Sequence, residues 1–255
     1  DTTPKSLKAP HKAYYENGWF ALGLPEEIGG TPVPELIHFA CISMITGANA
    51  AWSMYPSLTK GVLNVLRMKA SDELKNRYIP SIVEGKWGGS MCLTEPGAGS
   101  DVGAARTTAQ KINDKEYHLK GVKIFISSGE NDLYENIIHL VLARLPGAEE
   151  GTKGLSLFLV PKFLPNAKRN GVLCTKIEHK MGIHASATCE LTFGQNEECI
   201  GYLIGEENLG MDAMFIMMNE ERLMVALQGE AQANLAFEIA KDYAFSRKQF
   251  GVDLT

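Results

Sequence analysis

Apolar residues in the first third of the chain recur at the spacing of helices. Leu36 and Phe39 fall on one stripe, and Leu74 and Tyr78 fall on another. Positions three or four residues apart lie on the same face of a helix, so each stripe would be buried while the residues between face water. The pattern predicts helices between about residues 34 and 85.

Local signals indicate where these helices begin and end. Ser71 is followed by two acidic residues, a pattern typical of a helix N-cap with favourable charge in the first turn. Gly47, Pro56 and Gly61 are residue types that interrupt helices, and we expect them to lie between elements. The segment from Ala48 to Tyr55 is then a short connecting helix or a loop.

The pattern changes to short runs between about Trp87 and Ile204. Turn residues bound these runs and no helical stripe separates them, which is typical of an antiparallel barrel or sandwich. A hairpin turn is expected at residues 113–115. The predicted strands are Met91–Thr94, Thr107–Ile112, Glu116–Leu119, Val122–Ser127, Ile137–Ala143, Leu155–Val160, Val172–Lys176 and Cys189–Phe193.

Helical character returns after this β region. Residues 211–246 are mostly strong helix formers, with Gly229 as the weak point, so we expect one long helix or a helix pair. The sequence therefore predicts an α+β fold. Its order is a helical part, a middle antiparallel barrel or sandwich, and a second helical part.

One predicted strand combines an aromatic residue with a hydroxyl. Side chains alternate along a strand, so residues 122–127 place Lys123, Phe125 and Ser127 on one face and three β-branched residues on the core face. Phe125 could pack on a planar cofactor while Ser127 bonds to a nitrogen at the ring edge. An ordinary half-buried strand is the alternative for this segment taken alone.

A second segment favours the cofactor. Met91 and Leu93 begin a strand, and the Pro-Gly-Ala-Gly turn at residues 96–99 then breaks the ladder and leaves backbone N–H groups unpaired. Turns of this kind form anion-binding concavities. Thr94 and Ser100 add hydroxyls on either side. Together the two segments suit a flavin ring and its phosphates.

Several other classes of protein are disfavoured. Gly97, Gly99 and Gly103 lack the spacing of the dinucleotide fingerprint, which argues against a nicotinamide-type domain. The net charge is −5 and the basic residues are dispersed, so no nucleic-acid partner is expected. The 5 cysteines form no CxxC pair, and no metal site is expected. The 255 residues can bury a sizeable core, and no apolar run is long enough for a transmembrane segment.

The chain resembles the acyl-CoA dehydrogenase family. Residues Met91–Asp101 are very close to the flavin-binding signature of that family. Residues 17–30 resemble its N-terminal helical region, Lys180–Ile183 its middle β region, and Arg247–Gly251 its C-terminal helical region. Two segments, Ile177–His184 and Gly201–Glu206, are most similar to a large bacterial branch, which includes enzymes for ordinary fatty acyl-CoAs and for 3-methylthiopropionyl-CoA.

The resemblance implies an N-terminal helical domain at residues 1–86, a middle antiparallel β-barrel at 87–205, and the beginning of a C-terminal helical domain at 206–255. The family has a C-terminal four-helix bundle that mediates assembly into a homo-oligomer, a dimer or tetramer, and this chain contains only its opening. We therefore expect the chain to be an excerpt that by itself holds no FAD and is inactive. The expected location is the cytoplasm of a bacterium, or the mitochondrial matrix if the source is eukaryotic.

The cofactor implied by the resemblance is FAD. Phe125 stands where the family usually has Trp and Ser127 where it usually has Thr, so the stacking face and the hydroxyl are both kept. By the same resemblance, Ser100, Asn219 and Arg222 would contact the acyl-CoA substrate. The positions that match flavin contacts are Met91, Leu93, Thr94, Gly99, Ser100, Phe125 and Ser127, and those that match contacts to the adenosine diphosphate end across a dimer interface are Arg247, Gln249 and Phe250.

The implied reaction requires a carboxylate. Oxidising an acyl thioester to its trans-2-enoyl product needs a base for the α-proton while the β-hydrogen leaves as hydride to the flavin. Glu221 is the candidate because one branch of the family places its base at this position. Two alternatives stay open: Glu220, Glu221 and Arg222 are simple helix charges, or the base lies farther along, beyond this chain.

The resemblance leaves three functions to weigh. The leading one is a dehydrogenase that passes electrons to an electron-transfer flavoprotein. An acyl-CoA oxidase differs in the access of oxygen to the reduced flavin, which these residues do not decide. A flavin-bearing relative that binds nucleic acid instead of dehydrogenating is the third, and the lack of a basic patch counts against it.

Overall fold

The computed structural model describes residues 2–254, and its first part is helical, as expected. The predicted N-cap is confirmed, because the Ser71 hydroxyl accepts a hydrogen bond from Leu74 N–H at 3.4 Å. Asn49 caps the helix Ala50–Lys69 in the same way, by accepting a hydrogen bond from Trp52 N–H at 3.0 Å. Both caps satisfy amide groups that a helix cannot pair internally. The helices are α1 Lys8–Glu16, α2 Glu35–Ala48, α3 Ala50–Lys69, α4 Asp72–Val83 and α5 Gly210–Ser246.

The prediction that Gly47, Pro56 and Gly61 separate elements is wrong, because Gly47 lies in the last turn of α2 and the other two lie inside α3. Most of the segment 48–55 forms the first turns of that helix. α3 is largely buried, with Val62 at 0% exposure, and this burial outweighs the roughly 3 kcal/mol that an interior proline costs. A Cβ at Gly61 would lie 2.8 Å from Met217 Cγ, so this glycine permits the close approach of α5.

The middle of the chain folds into strands, and the expected hairpin at residues 113–115 is confirmed by antiparallel pairing of Thr108 with Lys120. The predicted runs at 116–119 and 122–127 form one continuous strand. Another strand, at 200–204, adds to the predicted set. The strands are β1 Trp87–Cys92, β2 Thr108–Lys111, β3 Tyr117–Ser127, β4 Asn136–Arg144, β5 Leu155–Pro161, β6 Val172–Ile177, β7 Thr188–Phe193, β8 Ile200–Ile204, β9 Lys248–Gln249 and β10 Val252–Asp253.

The sheet order is β1-β4-β5-β8-β3-β7-β6, with β2 paired to both β3 and β4. These pairings close a ring, but the β2–β4 contact is the single pair Thr108 and Arg144, so the sheet is not a clean barrel. The expectation of a wholly antiparallel sheet is wrong for β1, which runs parallel to β4, with Trp87 opposite Asn136. Parallel neighbours need a long connection, and the β2–β3 hairpin lies within it.

Alternate residues of β4 serve two cores. Leu140 and Leu142 pack with the helices, whereas Val141 and Ala143 pack into a second cluster around Phe158. Successive side chains of a strand point to opposite faces, so a strand that is covered on both sides reads as a continuous apolar run. The helical layer and the ring of strands therefore share β4.

The predicted alternation along β3 is wrong at one point. Lys123 is 0% exposed and Phe125 is 60% exposed, although both were expected on the same face. The cause is a bulge: the N–H of Ile124 donates to the Thr94 carbonyl at 2.9 Å, and the register with β7 shifts between Lys123 and Ile126. The extra residue in the bulge reverses the faces of the residues around it.

α5 is one unbroken helix of 37 residues, which decides between the two expectations for this region. Its first turns pack on α3 and on the sheet, and Met214 and Met217 are 0% exposed there. Farther along, α5 exposes many large apolar side chains. Among residues 2–254, no helix combines the length and apolarity that a bilayer crossing requires. The exposed side chains are Leu223, Val225, Leu235, Phe237, Ile239, Tyr243 and Phe245.

Candidate active site

The loop after β1 is a tight turn with unpaired amide groups. Glu95 and Ala98 exchange two backbone hydrogen bonds of 3.0 Å across the Pro-Gly pair. In the described part of the chain, the backbone N–H groups of Gly99, Ser100 and Asp101 find no acceptor. Unpaired amides on consecutive residues of a turn are the elements of an anion-binding concavity, as the sequence predicts.

Glu95 and Lys123 form a buried ion pair behind this turn. Lys123 Nζ donates to Glu95 Oε1 at 2.9 Å, and the two side chains are 6% and 0% exposed. Both residues are satisfied further by backbone groups of neighbouring segments. The pair therefore anchors the turn to β3.

Phe125 and Ser127 lie beside the same turn. Phe125 has a φ of 59°, which an aromatic residue rarely adopts, and its ring is largely exposed. Strained backbone of this kind persists where the surrounding structure enforces it, often at ligand sites. Ser127 lines a cavity together with Met91, so the two segments selected from the sequence do meet.

This cavity has a volume of about 220 Å³ and lies between α2, α3, α5 and the ends of β1 and β3. Much of its wall is apolar, with contributions from Ile42, Trp52 and Met224. A largely apolar cavity with a few convergent polar groups is typical of sites for small organic ligands.

Glu221 reaches the same cavity from α5. Ser57 Oγ lies 3.2 Å from each oxygen of the carboxylate and donates to it. Burial raises the pKa of Glu221 to about 7, the charge of Glu220 adds to the rise, and the hydrogen bond from Ser57 opposes it. This geometry favours the interpretation of Glu221 as a buried acid over its interpretation as a solvated helix charge.

A buried cation lies on the same wall. Lys60 Nζ donates to the Leu22 carbonyl at 2.7 Å and to His38 Nε2 at 2.8 Å. Burial lowers the pKa of Lys60 to about 8, against the opposing attraction of Glu220. Glu220 in turn accepts a hydrogen bond of 2.7 Å from Asn64 Nδ2, and burial raises its pKa.

Sequence reasoning missed the polar residues of α3 that face α5. The signal is nevertheless present, because Ser57, Lys60, Gly61 and Asn64 recur at three- and four-residue spacing in a largely apolar helix. Residues at that spacing share one face. Polar groups on a buried face need partners, so such a stripe indicates a polar neighbour or a ligand.

Three of the predicted residues lie far from the cavity. Arg247, Gln249 and Phe250 follow the C-terminal end of α5, and Phe250 is completely exposed. The rise of a helix puts Arg247 roughly 40 Å from Glu221 along the axis. These residues therefore do not meet the cavity of their own chain.

Asn219 and Arg222 lie on an exposed side of α5. Arg222 Nη1 donates to Asn219 Oδ1 at 2.7 Å, and its guanidinium lies 5.6 Å from the centroid of the Phe215 ring. Neither residue lines the cavity. The structure therefore separates these predicted substrate contacts from Glu221.

Comparison with known families agrees with this architecture. The helical part, residues 2–86, matches the acyl-CoA dehydrogenase N-terminal domain. The β part, residues 90–195, matches the acyl-CoA dehydrogenase middle domain. The chain belongs to the acyl-CoA dehydrogenase family.

Individual relatives extend the comparison. The 3-methylmercaptopropionyl-CoA dehydrogenase of Ruegeria pomeroyi is 41% identical over 251 residues, which are 96% of this chain and 42% of that protein. The broad-specificity linear acyl-CoA dehydrogenase FadE5 of Mycobacterium tuberculosis is 45% identical over 260 residues, 99% of this chain and 42% of that protein. A solved structure of a Bacillus anthracis acyl-CoA dehydrogenase complexed with FAD has 27% identity and a TM-score of 0.82, over 97% of this chain and 40% of that one. The chain thus spans about 42% of the length of these curated relatives.

Proposed function

We propose that this chain is part of an FAD-dependent enzyme that oxidises an acyl-CoA thioester to the trans-2-enoyl-CoA. The main support is that Glu221, whose pKa is raised to about 7, shares one cavity with Met91 and Ser127, which are expected at the flavin. The α-proton and the β-hydride leave adjacent carbons of one acyl chain, so base and flavin must face the same space.

The residues of the turn and of β3 fit FAD. The unpaired N–H groups of Gly99 and Ser100 suit the pyrophosphate, and the exposed face of Phe125 suits a planar ring. The Ser127 hydroxyl would hydrogen-bond the ring edge, while Leu93 and Thr94 lie between Met91 and the turn. When bound, FAD supplies the hydride acceptor.

A homo-oligomer, a dimer or tetramer, would complete the cofactor site. Arg247, Gln249 and Phe250 are too far from the cavity of their own chain to reach one cofactor with it. From a second subunit, the guanidinium of Arg247 would suit the phosphates at the adenosine diphosphate end. The exposed position of these residues is consistent with such a role.

Glu221 would act as the general base. A base works best when its pKa is close to the working pH, and burial brings this carboxylate there. The bond from Ser57 would hold the carboxylate toward the α-carbon. Ser100, Asn219 and Arg222 would contact the CoA portion, outside the cavity. A carboxylate from the remaining part of the full-length protein is the alternative base.

The substrate class is a fatty acyl-CoA or 3-methylthiopropionyl-CoA, and the electrons would pass to an electron-transfer flavoprotein. The enzyme would work in the bacterial cytoplasm, or in the mitochondrial matrix of a eukaryote. An acyl-CoA oxidase would instead pass the electrons to oxygen, and rapid recovery of the oxidised flavin absorbance in air, with release of hydrogen peroxide, would identify it. Salt-dependent binding of DNA would favour the nucleic-acid-binding relative.

Anaerobic bleaching of the flavin tests this function. Full-length protein would be titrated with acyl-CoAs of increasing chain length, including the 3-methylthio-substituted one, and absorbance of the oxidised flavin would be followed. Loss of the absorbance with at least one of them is expected, and bleaching by none would refute the proposal. Glu221→Gln should slow the bleaching at least about 100-fold. A Glu221→Gln variant with the wild-type rate would place the base elsewhere.

The isolated chain of 255 residues tests the role of the missing part. It is expected to purify without stoichiometric FAD and to turn over no acyl-CoA, because the proposed adenosine contacts come from a second subunit and the helical bundle expected to assemble the subunits is missing. A yellow preparation that bleaches with an acyl-CoA would contradict this expectation.

A further inference from the structure

The bulge in β3 is tied to the loop after β1 at two successive residues. Lys123 Nζ donates to the Leu93 carbonyl at 3.0 Å, and the N–H of Ile124 donates to the Thr94 carbonyl at 2.9 Å. Ile124 thus binds the loop at the point where the register with β7 shifts, and Phe125 follows at a positive φ. The exposure of Phe125 and the position of the loop are therefore set by the same contacts.

Glu95 ties the loop from its other side. Its Oε1 accepts hydrogen bonds from Lys123 Nζ at 2.9 Å and from Thr107 N–H at 3.0 Å, and its Oε2 accepts one from Arg106 N–H at 2.7 Å. Burial disfavours both charges, yet Lys123 and the amide donors hold the pKa of Glu95 below its ordinary value. Burial lowers the pKa of Lys123, and Glu95 opposes the change.

A buried ion pair of this kind is not explained by stability alone. Replacing both partners by neutral or apolar side chains is often neutral or stabilising, whereas removing one partner leaves an uncompensated charge. A neutral pair would not reproduce the hydrogen bonds that link β3 to the loop. Through Lys123 they reach the Leu93 carbonyl, and through Glu95 they reach residues 106 and 107. These hydrogen bonds fix the distance between the unpaired backbone N–H groups of the turn and the Phe125–Ser127 segment.

We propose that Lys123 and Glu95 are positioning residues. They set the distance between the turn after β1 and the Phe125–Ser127 segment, and thereby the affinity for FAD. This inference rests on the proposed function, because it assumes that the turn and the bulge bind the same cofactor. Neither side chain contacts the cofactor, since both are buried behind the turn. Their effect is carried by the backbone of the loop and of β3.

The test compares a single with a double variant of the full-length protein. Lys123→Met should lower the melting temperature and weaken FAD binding at least about tenfold, because Glu95 is left as an unpaired buried charge and the loop is released. Lys123→Met/Glu95→Gln should recover most of the melting temperature, since no buried charge is left unpaired, but FAD binding should stay weak because the link is still missing. FAD affinity would be measured by reconstitution of apoprotein, well below the melting temperature, together with the fine structure of the bound flavin spectrum.

Lys115→Met is the matched control. Lys115 pairs with Glu73 at 2.8 Å, but these side chains are 70% and 47% exposed, so the variant should alter neither readout. Recovery of FAD affinity and melting temperature together in the double variant would overturn the inference, as would wild-type affinity in Lys123→Met. Wild-type protein that binds FAD but is bleached by no acyl-CoA would refute the proposed function and leave this comparison valid.

Discussion

Glu221 occupies a position in which its charge is disfavoured. Burial and the neighbouring Glu220 raise its pKa from 4.5 to about 7, and Ser57 supplies the one hydrogen bond that lowers it. A Cβ at Gly61 would lie 3.3 Å from Glu221 Oε1, so the glycine also leaves room for the carboxylate. Groups kept in such positions reduce stability and are typical of functional sites.

The pH dependence of stability follows from this shift. The folded state binds the proton of Glu221 more tightly than the unfolded state, so ionisation weakens the fold as the pH rises from 4.5 to about 7, with the full effect above that. Glu221→Gln should therefore stabilise the protein at pH 8 by on the order of 2 kcal/mol and much less at pH 5, measured by urea unfolding. Glu230→Gln, an exposed change on the same helix, is the control. Equal effects of Glu221→Gln at both pH values would contradict the buried-acid assignment.

Glu220 provides a test of the catalytic pH profile. Its charge raises the pKa of Glu221, so Glu220→Gln should lower that pKa and move the acidic limb of kcat/KM to lower pH by about half a unit or more. The maximal rate should change little, because Glu221 itself remains. An acidic limb that stays in place while Glu221→Gln abolishes activity would show that Glu220 does not influence the base.

Part of the site can be read from the sequence because its signals are local. The turn residues and Ser127 stand out by type and spacing within a few positions, and Glu221 was selected through the family resemblance. Ser57 and Lys60 escaped because their meaning depends on α5, more than 150 residues away in sequence, packing on α3. A polar stripe on a single helix does not identify its partner.

The packing of α3 against α5 determines where Glu221 lies, and Gly61 is a point of close contact between the two helices. Gly61→Ala would put a methyl group 2.8 Å from Met217 Cγ and should destabilise the protein by about 1–3 kcal/mol. It should also slow catalysis, since Glu221 Oε1 lies next to the same methyl group. Gly229→Ala meets no atom within 4 Å and should stabilise α5 by about 0.5–1 kcal/mol. A neutral Gly61→Ala would contradict the close packing of these helices.

Features that depend on residue types close together in sequence were predicted better than features that depend on pairing with a distant strand. The Ser71 cap and the hairpin at residues 113–115 follow from local residue types, and both are confirmed. The parallel alignment of β1 with β4 and the bulge after Lys123 depend on partners elsewhere in the chain. In the bulge the N–H of Ile124 donates to the loop after β1 and not to β7, which no alternation pattern reveals.

The whole molecule has one feature that its described residues do not account for. α5 carries a series of large exposed apolar side chains beyond the cavity, including Phe237, Ile239 and Phe245. Exposed apolar surface of this extent marks an interaction site. The chain spans about 42% of the length of its curated relatives. We therefore expect the remaining part of the protein and a second subunit to bury these side chains.

Complementation between defective subunits tests this assembly. Ser100→Glu places a charge on the exposed turn where it would repel the pyrophosphate, and Arg247→Glu removes the cation proposed to come from the other subunit. Each variant alone should purify without FAD. In a dimer with two-fold symmetry, random mixing leaves one intact site in half of the dimers, so co-expression should restore roughly a quarter of the wild-type flavin content per chain. If both elements of a site came from the same subunit, every site in the mixture would carry one of the two defects and none would be intact. A mixture that remains colourless would therefore refute the shared site, as would full flavin content in Arg247→Glu alone.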